Sequence, residues 1–163
     1  MTLATLVLAF VSIQRLSELA LARHNTKRLL AIGAYESDHE HYPLIVSLHV
    51  AWLASLWIYG RGAEVNLYWL SVFAILQILR VWIIATLGVR WTTRIIILPG
   101  APVIATGPYK WLRHPNYVVV VAEIAVLPLA LELPYLAVAF SILNACILTV
   151  RIRAENRALA AEA

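Results

Sequence analysis

Charge is what this chain has least of. Asp, Glu, Lys and Arg together make up 13% of its 163 residues, about half the share of an ordinary soluble domain. Hydrophobic residues fill 62% of it, and the mean hydropathy is +0.79. That balance excludes a soluble domain and makes the bilayer the solvent. Cysteine is nearly absent too. Cys146 stands alone, has no partner for an internal disulfide and, inside an apolar run, reads as a small packed hydrophobe. The net charge of +4 raises the question of nucleic acid, but the basic residues are split among loops and form no stripe. Membrane topology explains them better, and no nucleic-acid partner is expected. With no internal repeat, the length suits one compact bundle, a single membrane-embedded domain over residues 1–163.

Apolar runs mark the spans: Thr2 to Ala22, Tyr42 to Tyr59, Leu67 to Val89, a run from near Tyr117 to LELPY (Leu131 to Tyr135), and Tyr135 to Val150. The first lacks a basic n-region and a small-residue cleavage site and carries Arg15 and Glu18. It reads as a retained helix and not a signal peptide. The fourth falls short of the roughly 20 residues that cross a bilayer. It therefore pairs with the fifth in a tight hairpin, with Pro134 ending one arm or starting the other. Between the third and fourth runs, TTRIIILPGAPVIATGPY (Thr92 to Tyr109) is not helical in character. Ile95, Ile96 and Ile97 are β-branched and Pro99-Gly100 is a turn signal, so a short hairpin or extended flap is expected. The fold expected is all-α and integral to the membrane. It has about five transmembrane helices, the last two a tight hairpin, with a short cytoplasmic flap before the fourth.

Five spans put the termini on opposite sides. Arg23, Lys27 and Arg28 follow the first span, Arg90, Arg94, Lys110 and Arg113 lie between the third and fourth, and Arg151, Arg153 and Arg157 lie in the tail. The opposite side has Arg61 alone. The positive-inside rule then sets the C-terminus in the cytoplasm and the N-terminus outside.

Four charged residues fall within the spans: Arg15, Glu18, Arg80 and Glu123. Arg15 and Glu18, three apart on one helix, can pair. Each intramembrane charge is costly, so a functional role and a structural buried pair, Arg80 with Glu123 or Glu18, both stand open. His41 and His49 lie near one face of the second span. Asp38, His39 and Glu40 form only a loop cluster beside them and supply no third ligand at metal-like spacing. Hydrogen-bonded helix–helix contacts are expected there, and no metal. Most tryptophans read as interface belt, with Trp111 the exception to watch.

The densest chemistry lies in GPYKWLRHPNY, Gly107 to Tyr117. A plain juxtamembrane loop would use Arg113 and Lys110 for topology, Pro115 before a helix and Asn116 as a cap. Two features go beyond that. His114 and Tyr117, three apart at a helix start, converge beside free backbone N–H groups and a positive dipole end. In the tail VRIRAENRAL, Arg151 and Glu155 are four apart on one helical face. Facing one another, these four make a polar pocket at the cytoplasmic edge of an apolar bundle. Such a pocket suits a zwitterionic cofactor and a lipid-like acceptor arriving from the bilayer.

These residues resemble the isoprenylcysteine carboxyl methyltransferase family of integral membrane enzymes, which use S-adenosylmethionine. That family's core reads G-x-Y-x-W-x-R-H-P-x-Y, an apolar hairpin, then R-x-x-x-E-E-x-x-L, and the match runs from Gly107 to Leu159. QRLSELALARHN, GAYESDHEHYPLIVSLH and LPGAPVIATGPY extend the likeness to the bacterial alkylpyrone O-methyltransferases, which act on products of type III polyketide synthases. The resemblance implies that Tyr109, His114, Pro115, Asn116, Tyr117 and Glu155 bind S-adenosylmethionine, with Ala101, Pro102, Val103 and Ile104 bordering it. It implies that Arg151 meets the acceptor and that the catalytic core covers residues 92–159. Val119 stands where a glycine is usual, Asn156 replaces the second acid, and the terminal G-x-x-Y-x-x-Y segment is absent. These departures fit a smaller lipid better than a prenylated protein terminus.

The activity implied is O-methylation, by in-line displacement, of an alkyl hydroxypyrone or related polyketide lipid at the cytoplasmic membrane of a bacterium. An acidic enol would arrive as an anion and be oriented by Arg151. A neutral phenol would need a base, with Glu123 or Glu155 as candidates. One alternative keeps the chemistry on a prenylated cysteine or another small lipid. Another is a non-catalytic membrane subunit or transporter that uses Arg80 and Glu123 as a polar path.

Overall fold

The computed structural model describes residues 2–37 and 42–160. Its helices are α1 (Leu3–Ala31), α2 (Tyr42–Gly60), α3 (Leu67–Leu87), α4 (Pro115–Ala130) and α5 (Pro134–Ala160). Two short strands, β1 (Tyr35–Glu36) and β2 (Ile96–Ile97), pair antiparallel. Turns of 3-10 helix cover Gly88–Arg90 and Gly107–Lys110. The chain is mostly helical, and α1, α2, α3 and α5 are long and apolar enough to cross a membrane, while α4 is a shorter apolar helix.

A shared core holds the bundle. Leu8 and Val11 of α1 pack with Leu48, Trp52 and Leu56 of α2, Phe73 of α3, Ile124 and Leu127 of α4 and Phe140 of α5. The outward faces are apolar as well: Phe10, Ile13, Val50, Ile78, Val81 and Ile142 are exposed. Helices hydrophobic on every face suit lipid, which offers no partner to a polar group. Cys146 belongs to that outer face, since it is exposed on α5 and not packed as expected.

Polar side chains tie the helix ends. At one end of the bundle, the Thr2 and Thr5 hydroxyls donate to the Arg61 carbonyl at 2.8 and 2.9 Å. Asn66 caps α3 by accepting from the Tyr68 and Trp69 amides, and its own amide donates to Glu132 at 2.9 Å. Gly60 allows α2 to meet the α4–α5 turn, because a Cβ there would stand 2.9 Å from Leu131 Cδ1. At the other end, Asn25 donates to the Trp91 carbonyl at 2.8 Å and fixes α1 to the segment after α3.

Two helices run past their expected ends, α1 to Ala31 and α5 to Ala160. The residues beyond Ala22 and Val150 are charged but include good helix formers, so the helix continues after the apolar run stops. The 29 residues of α1 rise about 43 Å, more than the roughly 30 Å of hydrocarbon. Ile96 and Ile97 pair not with their own segment but with Glu36 and Tyr35 beyond α1. A salt bridge from Arg94 to Glu36 at 2.7 Å reinforces that pairing.

Candidate functional site

The start of α4 and the last turns of α5 meet beside this small sheet. His114 is the N-cap residue of α4 and makes no side-chain cap bond, while Pro115 occupies the first turn. Asn116 therefore sits inside the helix and is not the cap. The His114 and Tyr117 rings stack with centroids 5.3 Å apart. The Tyr117 hydroxyl donates to Glu155 and accepts from Arg151 Nε at 2.9 Å. Arg151 also donates to the Thr93 carbonyl at 2.8 Å. Glu155 stands 4.0 Å from His114 Nδ1. The two sequence stretches thus form one connected polar cluster. Gly107 sets the approach: its φ is +54°, and a Cβ there would lie 2.6 Å from Thr86 Oγ1, so only glycine fits. Trp111 packs edge-to-face on Trp82 at 6.1 Å and is otherwise exposed, with no contact to the cluster among the described interactions.

Two cavities adjoin the cluster. One, about 180 Å³, is lined by Arg94, Ile95, Ile96, Ile97, Tyr109, His114 and Glu155 among others. Burial, and next the Glu155 charge, pushes the Tyr109 phenol up to about 12, so it remains a donor at neutral pH. His114 Nε2, Asn116 Oδ1 and Trp91 Nε1 are buried and have no hydrogen-bond partner among the described residues. Buried polar atoms in folded proteins are normally bonded, so these three mark a place for a polar ligand. The second cavity, about 350 Å³, lies between α1, α2, α4 and α5. Leu16, Leu19, Val46, Val50, Leu53 and Ile147 give it apolar walls, and Arg15, Glu18, His49, Arg80 and Asn144 give it a polar interior. Both cavities are lined by Trp91, Thr92, Asn116, Tyr117 and Arg151.

Several expected residues lie elsewhere. Ala101, Pro102, Val103 and Ile104 line neither cavity. The chain turns at Gly100, where φ is +70°, and the Arg90 guanidinium binds the Pro102 carbonyl. Val103 is left 88% exposed, and Ile95, Ile96 and Ile97 stand at the cavity in place of these four. Pro115 is buried at the helix start and lines neither cavity. Glu123 is 1% exposed and lines neither cavity, lying behind Arg15 and Arg80 of the larger one. It accepts from Arg15 and Arg80, each at 2.8 Å, and from Gln77 at 2.9 Å. Glu18 accepts from Arg15 at 3.1 Å, from Gln14 at 2.9 Å and from Arg80. Carboxylates so occupied have the bonding of structural counter-ions, and Glu123 presents no oxygen to either cavity wall. His41, with Asp38, His39 and Glu40, lies outside the described residues. His49 Nδ1 bonds to Ile45 O, 2.9 Å away on its own helix, and not to another helix. Sequence reasoning missed Trp91, Thr92 and Thr93 as wall residues, because nothing in TT after a span distinguishes a wall from a loop.

Comparison with known proteins fits this geometry. A model of the isoprenylcysteine carboxyl methyltransferase (ICMT) family matches residues 69–161, which include both stretches of the cluster. Over 159 residues the chain is 39% identical to the uncharacterized protein YpbQ of Bacillus subtilis strain 168, covering 94% of this chain and 95% of that one. It is 27% identical over 154 residues to an uncharacterized protein of Haemophilus influenzae, covering 89% and 88% of the two chains. No solved structure matches it significantly. With four helices able to cross a membrane and the family match across more than half its length, the chain belongs to the isoprenylcysteine carboxyl methyltransferase family of membrane methyltransferases.

Proposed function

We propose that this protein transfers a methyl group from S-adenosylmethionine to an oxygen of a lipophilic small acceptor, an alkyl hydroxypyrone or related polyketide lipid. The observation that carries this reading is the shared wall. A polar cavity and a larger apolar-walled one meet at Asn116, Tyr117 and Arg151, as transfer between a water-soluble donor and a lipid acceptor requires. Leu16 and Val50 line the larger cavity and are 68% and 63% exposed on the outside of the bundle. The acceptor therefore arrives from the lipid side, between α1 and α2, after an enzyme of the polyketide synthase class has made it.

The donor set of the smaller cavity fits a zwitterion. Glu155 and Asn116 Oδ1 would accept from an ammonium group, while Tyr109 and His114 would donate to a carboxylate. S-adenosylmethionine, when bound, supplies a methyl group already activated on a sulfonium. The residues of this chain then hold two reactants in line and keep water out. Arg151, anchored on the Thr93 carbonyl and Tyr117, directs a charge-assisted hydrogen bond at the acceptor oxygen. An acidic enol needs no base, and a neutral phenol gives its proton to Glu155. Residues 92–159 form the catalytic core. In this reading α4 is a fifth span in a hairpin with α5, the segment Thr92 to Tyr109 is a short cytoplasmic flap before it whose residues Ile95, Ile96, Ile97 and Tyr109 stand at the cofactor cavity, and the site faces the cytoplasm.

Detergent-solubilised protein incubated with labelled S-adenosylmethionine and a panel of lipophilic acceptors tests the reading. Label is expected in the alkyl hydroxypyrone. Label in a prenylated cysteine alone would return the acceptor to the one for which the family is named, and no cofactor binding would sink the reading.

A further inference from the structure

The inner end of the larger cavity carries polar groups that methyl transfer at Arg151 does not use. Asn144 is 4% exposed and Trp52 is 1% exposed. Asn144 Nδ2, Trp52 Nε1 and Arg15 Nε have no hydrogen-bond partner among the described residues, and all three residues line that cavity. They come from α5, α2 and α1, so the local geometry of one helix does not explain the convergence. Asn144 lies two turns before Arg151 on α5, about 10 Å deeper along the helix. The charges nearby cancel: Arg15 and Arg80 face Glu18 and Glu123. What remains unpaired is a set of N–H donors, for which a neutral oxygen is the complement. One acceptor stands with them. A carbonyl only accepts, so the His49 nitrogen bonded to Ile45 O carries the hydrogen. His49 Nε2 is then a free lone pair on the same cavity.

We infer that this inner end is a second polar subsite for the acceptor, which binds an oxygen other than the one that receives the methyl group. The inference rests on the larger cavity being the acceptor site. It narrows the substrate class to lipophiles whose head bears at least two separate oxygens, a hydroxyl or carbonyl deep in the bundle and the reacting oxygen at Arg151. A lone alcohol or acid at the end of a chain leaves the inner donors unpaired, a penalty that discriminates more strongly than any added contact.

Two probes of equal chain length isolate the effect: an alkylphenol with one ring oxygen and an alkylresorcinol with two. Their binding to the full-length protein in detergent is measured without S-adenosylmethionine, so the readout does not depend on turnover. The wild type is expected to prefer the resorcinol about tenfold. Asn144→Leu and Trp52→Phe are each expected to reduce that preference to about twofold or less, with S-adenosylmethionine affinity retained. Trp52→Phe keeps an aromatic ring in the core while removing the N–H and part of the indole's volume, and as a substitution at a second site it serves if Asn144→Leu fails to fold. No preference in the wild type, the same preference in both variants, equal loss of both probes or binding of neither would overturn the inference. The two readings fail separately. Preferential binding without methyl transfer to any acceptor removes the proposed activity and leaves the subsite. Methyl transfer without preference leaves the activity and removes the subsite.

Discussion

Tyr117 joins the two halves of the site through one oxygen, which donates to Glu155 and accepts from Arg151. Tyr117→Phe keeps the ring and its stacking on His114 but frees both charged partners. Losing a hydrogen bond to a charged group costs about 1.5–3 kcal/mol, roughly 10- to 150-fold in affinity. Calorimetry on the variant is expected to show S-adenosylmethionine affinity reduced within that range, and an unchanged affinity would take Tyr117 out of the cofactor site. Arg151→Lys separates the other role. Lysine keeps the charge and loses the planar fork that holds the Thr93 carbonyl and Tyr117 together. Turnover is expected to fall at least tenfold more than cofactor affinity, because the lost interaction matters mainly in the transition state. Equal losses would assign Arg151 to the cofactor shell. At this scale the spacing in RHPNY and in Arg151-x-x-x-Glu155 was legible, since three and four residues define a helical face. The fate of Glu123 was not. A lone acid in an apolar run reads the same as base or counter-ion until the helices bearing its partners are packed.

Between elements, the buried network carries the next argument. Arg15 and Glu18 of α1, Gln77 and Arg80 of α3 and Glu123 of α4 join three helices. Removing one partner from a buried ion pair strands the other charge, at about 3–5 kcal/mol. Glu123→Gln is therefore expected to lower unfolding stability in detergent by that order while turnover per folded molecule stays within about twofold. The opposite result, stability kept and turnover lost, would restore Glu123 to the chemistry. The helical character and the four long apolar helices were legible from hydrophobic runs, because a bilayer demands about 20 apolar residues. The ends of α1 and α5 were not, because a helix that has left the lipid needs no apolar side chains and continues on propensity alone. Nor was the pairing of Ile96–Ile97 with Tyr35–Glu36. Neither segment alternates over enough residues to declare a partner, and the pairing is made by the fold.

For the whole molecule, we propose one orientation from the distribution of positive charge and the position of the site. Arg23, Lys27 and Arg28 on α1, Arg90 and Arg94 after α3, and Arg151 and Arg153 on α5 gather at the end of the bundle that holds the two-cavity site. Arg61, after α2, lies at the opposite end with the start of α1. Lys and Arg are retained on the cytoplasmic side during insertion, the side that also holds water-soluble cofactors. An N-terminus outside and a site in the cytoplasm would satisfy both demands at once. Thr106 and Gly62 are exposed at the two ends, so single cysteines there report orientation directly. Cys146 is exposed on α5 and is first replaced by alanine to remove its background. In intact cells an impermeant thiol reagent is expected to label the cysteine at Gly62 and spare the one at Thr106, with both labelled after the membrane is opened. Labelling at Thr106 and protection at Gly62 would invert the protein. The shared wall of Asn116, Tyr117 and Arg151 would then face away from the cytoplasmic pool of the methyl donor, and the proposed reaction would lose its source.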